Sequence, residues 1–532
     1  MITVLLAATA AGCGNTDGGA TADQASETTA QTATEPTAIT DLSKPDNTKW
    51  RRMDEDDVYY QTGISYCETP AAESYEQLAV FVPGAFMNAT DNGDGTFNCE
   101  LNEDAQFMGY TASTAPILLP VITPGYHAEF ALTDDSIDEL MHEPASLTAF
   151  TSQGCIFVHS GCRGMEEGAP AGVTDLKAAI RYLRYSDDVL PGDAESIFAF
   201  GMSGGGAQAA IIGASGDSEL YQPYLEQIGA VQGVSDAVAG VMAWCPICDL
   251  DTANAGYEWM MGCTRTDRTP EEQKITERLA EEFAEYINGA GFTDSSGNAL
   301  TLTESEEGVY QAGSYYDYIK RVIEGSLNNY LSDNGLSGSA AQEYVDELNE
   351  NKKWVNYNRA TNSVLITSVA DFCLERKNAS PLPLAFDQPF SQHPLFNCGG
   401  KPCHFDSILA GILTELNSEY ADDFNSDLVR TDSVGNTVVQ RVDMYSPLFY
   451  LQKGRGGYGK SAVAENWRIR SGIEQDNTAI STEVNLALAL ESFGVKTLDF
   501  ETVWEQKHTE AERRGECYEP FLEWVNECMK NA

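Results

Sequence analysis

Short apolar runs alternate with stretches of helical period through the first half of the chain. Leu78–Val82, Ile117–Ile122, Cys155–His159, Ile197–Phe200 and Val238–Trp244 are continuous apolar or β-branched segments bounded by polar or Gly/Pro-containing residues, the pattern of strands buried on both faces. Between two of them Leu176, Ala179, Ile180 and Leu183 recur at helical spacing, which predicts a helix over Thr174–Tyr185 with Thr174 as its N-cap. Strands alternating with helices predict an α/β fold with a doubly wound, mostly parallel sheet. Such sheets bind ligands at the carboxyl ends of their strands.

After Asp249 the alternation stops. Thr269-Pro270-Glu271-Glu272 reads as a capping box with proline at the first helical position. It opens a helix carrying Ile275, Leu279, Phe283 and Ile287 on one stripe and closing at Gly289. Tyr315–Leu331 and Ala340–Leu348 predict two further amphipathic helices. Residues 251–439 are therefore expected to form a largely helical lid inserted between two parts of the sheet domain, 49–250 and 440–532. The strand pattern returns at Trp467–Arg470, followed by the loop 471–478, a helix over Thr482–Phe493 ending at Gly494, and a last strand, Thr497–Trp504.

The predicted strand at Ile197–Phe200 runs into Gly201-Met202-Ser203-Gly204-Gly205, a GxSxG pentapeptide with small residues beyond it. Between strand and helix this pattern forms a tight turn that exposes a nucleophilic serine, and the glycines are needed where the two limbs nearly touch. A serine hydroxyl needs a base within hydrogen-bond reach, and the base needs an orienting carboxylate. Of the six histidines, His127, His142 and His159 precede Ser203, and His393 and His404 fall in the insertion. His508 follows the last strand and is the expected base. Asp476, in the loop after the preceding strand, is the expected acid, with Glu474 and Asp443 as substitutes. The Gly204 N–H is the first expected oxyanion donor; Gly125 and Tyr126 supply the second, with Gly161-Cys162-Arg163 as the alternative loop. Each such donor is worth about 3 kcal/mol in the transition state.

Gly454–Ser461 fits the phosphate-loop pattern GxxxxGK[ST]. That mechanism requires a helix starting at the Lys-Ser, and only Ala462–Asn466 separate it from the next strand. It is read as a surface loop.

Composition narrows the partners. Lys and Arg number 32 against 81 Asp and Glu, a formal charge of −49, which repels nucleic acid and anionic lipid. Residues 1–12 are a short apolar run ending in small residues before Cys13, like the lipobox of bacterial lipoproteins, though no Lys or Arg precedes it. Residues 13–48 are rich in Thr, Ala, Ser, Gly and Asp and are expected to be a disordered tether. An exported, cell-surface protein lipidated at Cys13, or a secreted one, is the expectation. Twelve further cysteines then suggest disulfides, with Cys155/Cys162, Cys398/Cys403 and Cys517/Cys528 close enough in sequence for local bridges. Cys245 and Cys248 with Cys398, Cys403 and His404 have the wrong spacing for a compact zinc site, so no metal is expected.

The segments GMSGGGAQAA with DLKAAIRYLRY upstream, WRIRSGIEQDNT, and ETVWEQKHTEAER together resemble bacterial tannase-like and feruloyl-esterase-like carboxylesterases of the α/β-hydrolase superfamily. The resemblance implies Ser203 as nucleophile, His508 as base, Asp476 as orienting acid, a helical lid that helps bind an aromatic acyl group, and no cofactor. Asn477 and Thr478 follow Asp476 where tannases carry a second acid, and Lys377 is a weak match to their lid lysine, so the resemblance extends to ester hydrolysis rather than to galloyl specificity. The expected function is a serine carboxylesterase acting on small-molecule esters of phenolic acids through an acyl-enzyme. A peptidase of the same fold and a catalytically silent binding lipoprotein are the alternatives.

Overall fold

The computed structural model describes residues 38–137, 147–168, 170–266, 268–378, 407–477 and 479–531. Cys13, the leader, His142, His393, Cys398, Cys403, His404 and Thr478 lie outside the described residues. The chain docks earlier than the composition suggests. Ile39 bridges Gln232, and the Tyr182 and Tyr185 hydroxyls donate to the Ser43 and Leu42 carbonyls, so the tether does not extend to residue 48.

Among the described residues nine strands form one sheet. They are β1 (Arg51–Met53), β2 (Val58–Ser65), β3 (Gln77–Pro83), β6 (Pro116–Val121), β7 (Ile156–Ser160), β8 (Asp193–Met202), β9 (Gly240–Trp244), β12 (Asn466–Gly472) and β13 (Thr497–Val503), in the order β1-β2-β3-β7-β6-β8-β9-β12-β13. Pairing is antiparallel from β1 to β7 and parallel from β7 to β13. The remaining strands make two hairpins, β4 (Met87–Asp91) with β5 (Phe97–Leu101) and β10 (Val355–Asn358) with β11 (Ser363–Ile366). The expected α/β sheet is present. β6 and β9 are buried along their whole length and β8 is buried over Ser196–Gly201, as their apolar runs require, whereas β13 at the sheet edge is only half-buried until Thr502.

Helix α1 (Ala171–Tyr185) precedes β8, and α2 (Gly204–Ala214) follows the tight turn at Ser203, the elbow. Thr174 is not the cap of α1: it lies inside the first turn, and its hydroxyl bonds back to the Pro170 carbonyl at 3.0 Å. Beyond β9 the chain is mostly helical from α3 (Leu250–Met261) to Pro447–Leu451. It includes α4 (Pro270–Ala290), α5 (Ser314–Asp333), α6 (Ser339–Leu348) and α7 (Val369–Arg376), with the β10–β11 hairpin as its non-helical part. The Thr269/Glu272 capping box forms as read, but α4 passes through Gly289 and ends at Gly291, whose φ of 73° is the left-handed conformation a helix stop uses. Helix α8 (Ser481–Phe493) ends at Gly494 as expected, and α9 (Tyr518–Lys530) closes the described chain. Gly454–Ser461 is a series of turns with no helix at its Lys-Ser.

The ten cysteines among the described residues are free thiols, which corrects the expectation of local bridges at Cys155/Cys162 and Cys517/Cys528. Cys155 and Cys162 flank β7, and an extended strand of that length holds its ends about 20 Å apart. Cys517 and Cys528 sit at opposite ends of α9, about 16 Å apart along a helix axis. A disulfide needs α-carbons within about 7 Å.

Candidate active site

Sterics define the turn at Ser203. A β-carbon on Gly201 would stand 2.6 Å from the Gly205 carbonyl carbon, and one on Gly205 would overlap the Val121 carbonyl oxygen. Only glycine fits at either limb. Ser203 itself takes φ 61°, ψ −120°, a strained conformation fixed by its N–H donating to Trp244 O at 2.9 Å. The serine is thus held at the carboxyl end of β8, at the head of α2.

Three other strand ends meet it. The loop after β13 carries His508, whose Nε2 lies 2.8 Å from Ser203 Oγ. That loop crosses β12 at Gly472, where a β-carbon would strike the Lys507 and Gln506 carbonyls. The loop after β6 forms the turn Pro124–Tyr126. A β-carbon on Gly204 would sit 2.6 Å from the Tyr126 amide nitrogen and 3.2 Å from that of Gly125, so both expected donor segments face each other beside the serine. The Tyr126 N–H donates to Thr123 O at 2.9 Å, which commits it to the turn and leaves the Gly125 amide as the better partner for Gly204. Thr123 fastens this loop to α2, its hydroxyl donating to Gln208 Oε1 at 2.9 Å. The alternative loop is engaged elsewhere: Cys162 bridges Glu129, and Arg163 pairs with Asp175.

The acid is where sequence and structure part. Gln475, not Asp476, meets the imidazole, its Oε1 lying 2.7 Å from His508 Nδ1. Asp476 accepts from the backbone and side-chain amides of Asn378 at 2.8 and 3.1 Å. Glu474 pairs with Arg376, and Asp443 lies 3.5 Å from Arg455. Lys377, between the two clasp residues, donates its ammonium to the Gln475 carbonyl. Three consecutive residues at the end of α7 thus clasp three consecutive residues of the loop after β12, and the two carboxylates are turned toward those donors. Gln475 is left facing the imidazole. Behind it, the Gln475 amide donates to Glu483 in the first turn of α8. Gln475 and Glu483 were invisible as site residues, but a glutamate among Val484, Leu486 and Leu488 was the one available signal of a buried carboxylate.

The other two described histidines are elsewhere: His127 contacts Glu166, and His159 contacts Glu129. Cys245 sits under the base loop with its thiol 3.2 Å from Thr509 O, while Cys248 contacts Asp249. A cleft of about 1490 Å³ lined by Leu42, Gln61, Ile64 and Tyr182 borders the amino-terminal strands and includes none of the residues around Ser203.

Burial pushes the His508 imidazole down to about 4 from an ordinary 6.5. The neutral amide at Nδ1 supplies no charge to offset that desolvation. A base must be unprotonated to accept the serine proton, so activity is lost only as pH falls through the depressed value. The expected kcat/KM profile is flat through pH 6.5 and bends near 4; a bend near neutrality would contradict this environment. Asp476→Asn offers a second check. A triad acid changed to its amide loses about 10⁴ in kcat, whereas a clasp residue that keeps one acceptor for Asn378 should lose less than about tenfold.

The fold has known counterparts. The tannin acyl hydrolase of Lactobacillus plantarum superposes with a TM-score of 0.68 at 24% identity, covering 92% of this chain and 98% of that one. This chain has the α/β-hydrolase fold of the bacterial tannases. Fusobacterium nucleatum tannase matches with a TM-score of 0.66 at 24% identity, over 89% of this chain and 95% of that one. A tannin acyl hydrolase in complex with 3,4-dihydroxybenzoate matches with a TM-score of 0.66 at 26% identity, over 88% and 94%. The BD-FAE family model, feruloyl-esterase-like, matches residues 133–305, which include the elbow. No curated protein matches the chain. The resemblance read from the three sequence segments is therefore upheld at the level of fold and relatives.

Proposed function

We propose that the protein is a serine carboxylesterase acting on small esters of phenolic acids. The observation that carries this reading is the 2.8 Å contact between Ser203 Oγ and His508 Nε2 on a strained strand–helix turn. The BD-FAE match and the tannase likeness support ester hydrolysis as the reaction and a phenolic acyl group as the substrate class.

In this reading Ser203 Oγ attacks the ester carbonyl carbon as its proton passes to His508 Nε2. The carbonyl π electrons move to oxygen, where the N–H groups of Gly204 and Gly125 receive the charge. Collapse re-forms the carbonyl and breaks the bond to the alcohol oxygen, which takes the proton from Nε2. Water then repeats the sequence, giving its proton to Nε2 and its oxygen to the acyl carbon, and the acid leaves as Ser203 regains its hydrogen. Gln475 accepts from Nδ1–H throughout.

The test is a substrate panel of methyl gallate, methyl 3,4-dihydroxybenzoate, methyl ferulate and short nitrophenyl esters beside matched amides, run with fluorophosphonate labelling. Turnover of the phenolic esters with labelling at Ser203 is expected. Preference for the amides would indicate a peptidase, and failure of both label and panel would leave a binding protein.

A further inference from the structure

An amide at the histidine's back has two ways to sit, and only one of them permits catalysis. With Gln475 Oε1 toward the ring, Nδ1 carries the proton and Nε2 presents its lone pair to the serine. With the NH2 toward the ring, Nδ1 must be bare and Nε2 protonated, the tautomer that cannot take a proton from Ser203. Nothing within the glutamine side chain selects between them. The neighbour on its far side does. Glu483 is fully buried at the start of α8, and Gln475 Nε2 donates to its Oε1. A carboxylate accepts and does not donate, so it holds the NH2 on its own side and leaves Oε1 for His508 Nδ1 at 2.7 Å.

We propose that Glu483 is a positioning residue for the Ser203–His508 pair: through the Gln475 amide it fixes the imidazole in the tautomer that can accept the serine proton. This rests on the esterase reading and adds to it a carboxylate one residue removed from where a triad acid stands. The glutamine also needs its backbone held, which Lys377 does by donating to the Gln475 carbonyl. The charged and titratable groups around this network are Lys377, Glu474 and Asp476 on the clasp, Cys373 in α7, and Cys245 and Cys248 after β9. Lys377 is buried and has Glu483 among its charge partners. Gln475 and Glu483 are themselves buried, so a flipped amide would set NH2 against N–H on one side and oxygen against carboxylate on the other with no water to relieve either contact.

Glu483→Gln tests the proposal, because a second amide can either accept from Gln475 or donate to it and no longer enforces one orientation. The expected result is a fall in kcat of about tenfold or more at unchanged KM. The exchanged pair Gln475→Glu/Glu483→Gln should recover kcat, since a carboxylate now faces Nδ1 directly. It should also move the acid limb of the pH profile upward from about 4, as an adjacent negative charge favours imidazolium. Wild-type kcat in a folded Glu483→Gln enzyme, or a loss that the exchanged pair does not recover, would overturn the proposal. If Glu483→Gln does not fold, nitrogen NMR of the wild-type imidazole decides: a proton on Nδ1 with bare Nε2 upholds it, and the reverse overturns it. Failure of the esterase reading looks different, as absence of fluorophosphonate labelling in the wild type, and the NMR assignment stands whichever way that labelling falls.

Discussion

Replacing Ser203 by alanine is expected to lower kcat for the best phenolic ester by about a million-fold while leaving KM within a few-fold. In the proposed mechanism the serine oxygen is the one atom of the site that bonds to substrate, and no neighbour can take its place. His508 Nε2 points at Ser203 Oγ, so a general-base path through water would need a solvent molecule in the gap that the lost oxygen leaves. What survives should be the contribution of the Gly204 and Gly125 amides and of binding, about 10³ to 10⁴ over solution. Alanine adopts the φ of 61° no more readily than serine, so thermal stability should change little and the loss can be assigned to chemistry. The double variant Ser203→Ala/His508→Ala should be no slower than either single change, because the two groups act as a unit. Activity of Ser203→Ala within a hundredfold of wild type would remove the proposed mechanism.

Some of this site is written in local sequence, and some is not. The elbow was legible because its glycine constraint is short-range: Gly201 meets Gly205 across the turn, and both meet Val121 of the adjacent strand β6. His508 was legible because it follows the last strand, and the sheet order carries it beside β8 through β9 and β12. The capping box at Thr269 and the helix stop at Gly494 are equally local. Asp476 was not legible, and the reason is tertiary. A loop cannot announce which of two adjacent side chains faces the base when the choice is made by Arg376 and Asn378, 98 residues away. A carboxylate was expected there because triad geometry ordinarily supplies one. In this chain the carboxylates of that loop serve the clasp, and the amide serves the histidine. The cysteines misled for a related reason: spacing along the chain reads as proximity until a strand or a helix stretches between the two thiols.

Glu512→Ala is expected to destabilise the protein by about 3–5 kcal/mol, the largest stability effect among the residues that support the site. Arg468 and Arg470 point out of β12 into the core with side chains only 4% and 6% exposed. Glu512, 5% exposed, takes Arg468 in a bidentate pair at 2.5 and 2.7 Å, and its Oε1 also accepts from the Trp244 indole at 3.0 Å. Arg470 has Asp499 and Glu501 on the next strand as well. Arg468 depends mainly on Glu512, with Asp499 at 3.4 Å on its other edge. Alanine would leave a buried guanidinium short of its bidentate partner and an indole N–H without its acceptor. The same carboxylate ties down the segment that delivers His508, four residues earlier in the chain, so the variant that remains folded should also lose kcat as the imidazole drifts from Ser203. Urea unfolding followed by tryptophan fluorescence, with Trp244 as a reporter in the affected contact, measures the first effect and steady-state kinetics the second. Glu512→Gln separates the two contributions: it keeps an acceptor for Trp244 but removes the charge beside Arg468, and most of the destabilisation should remain. Full stability in Glu512→Gln would mean that the hydrogen bonds, rather than the charge of the pair, fasten the base loop to the sheet.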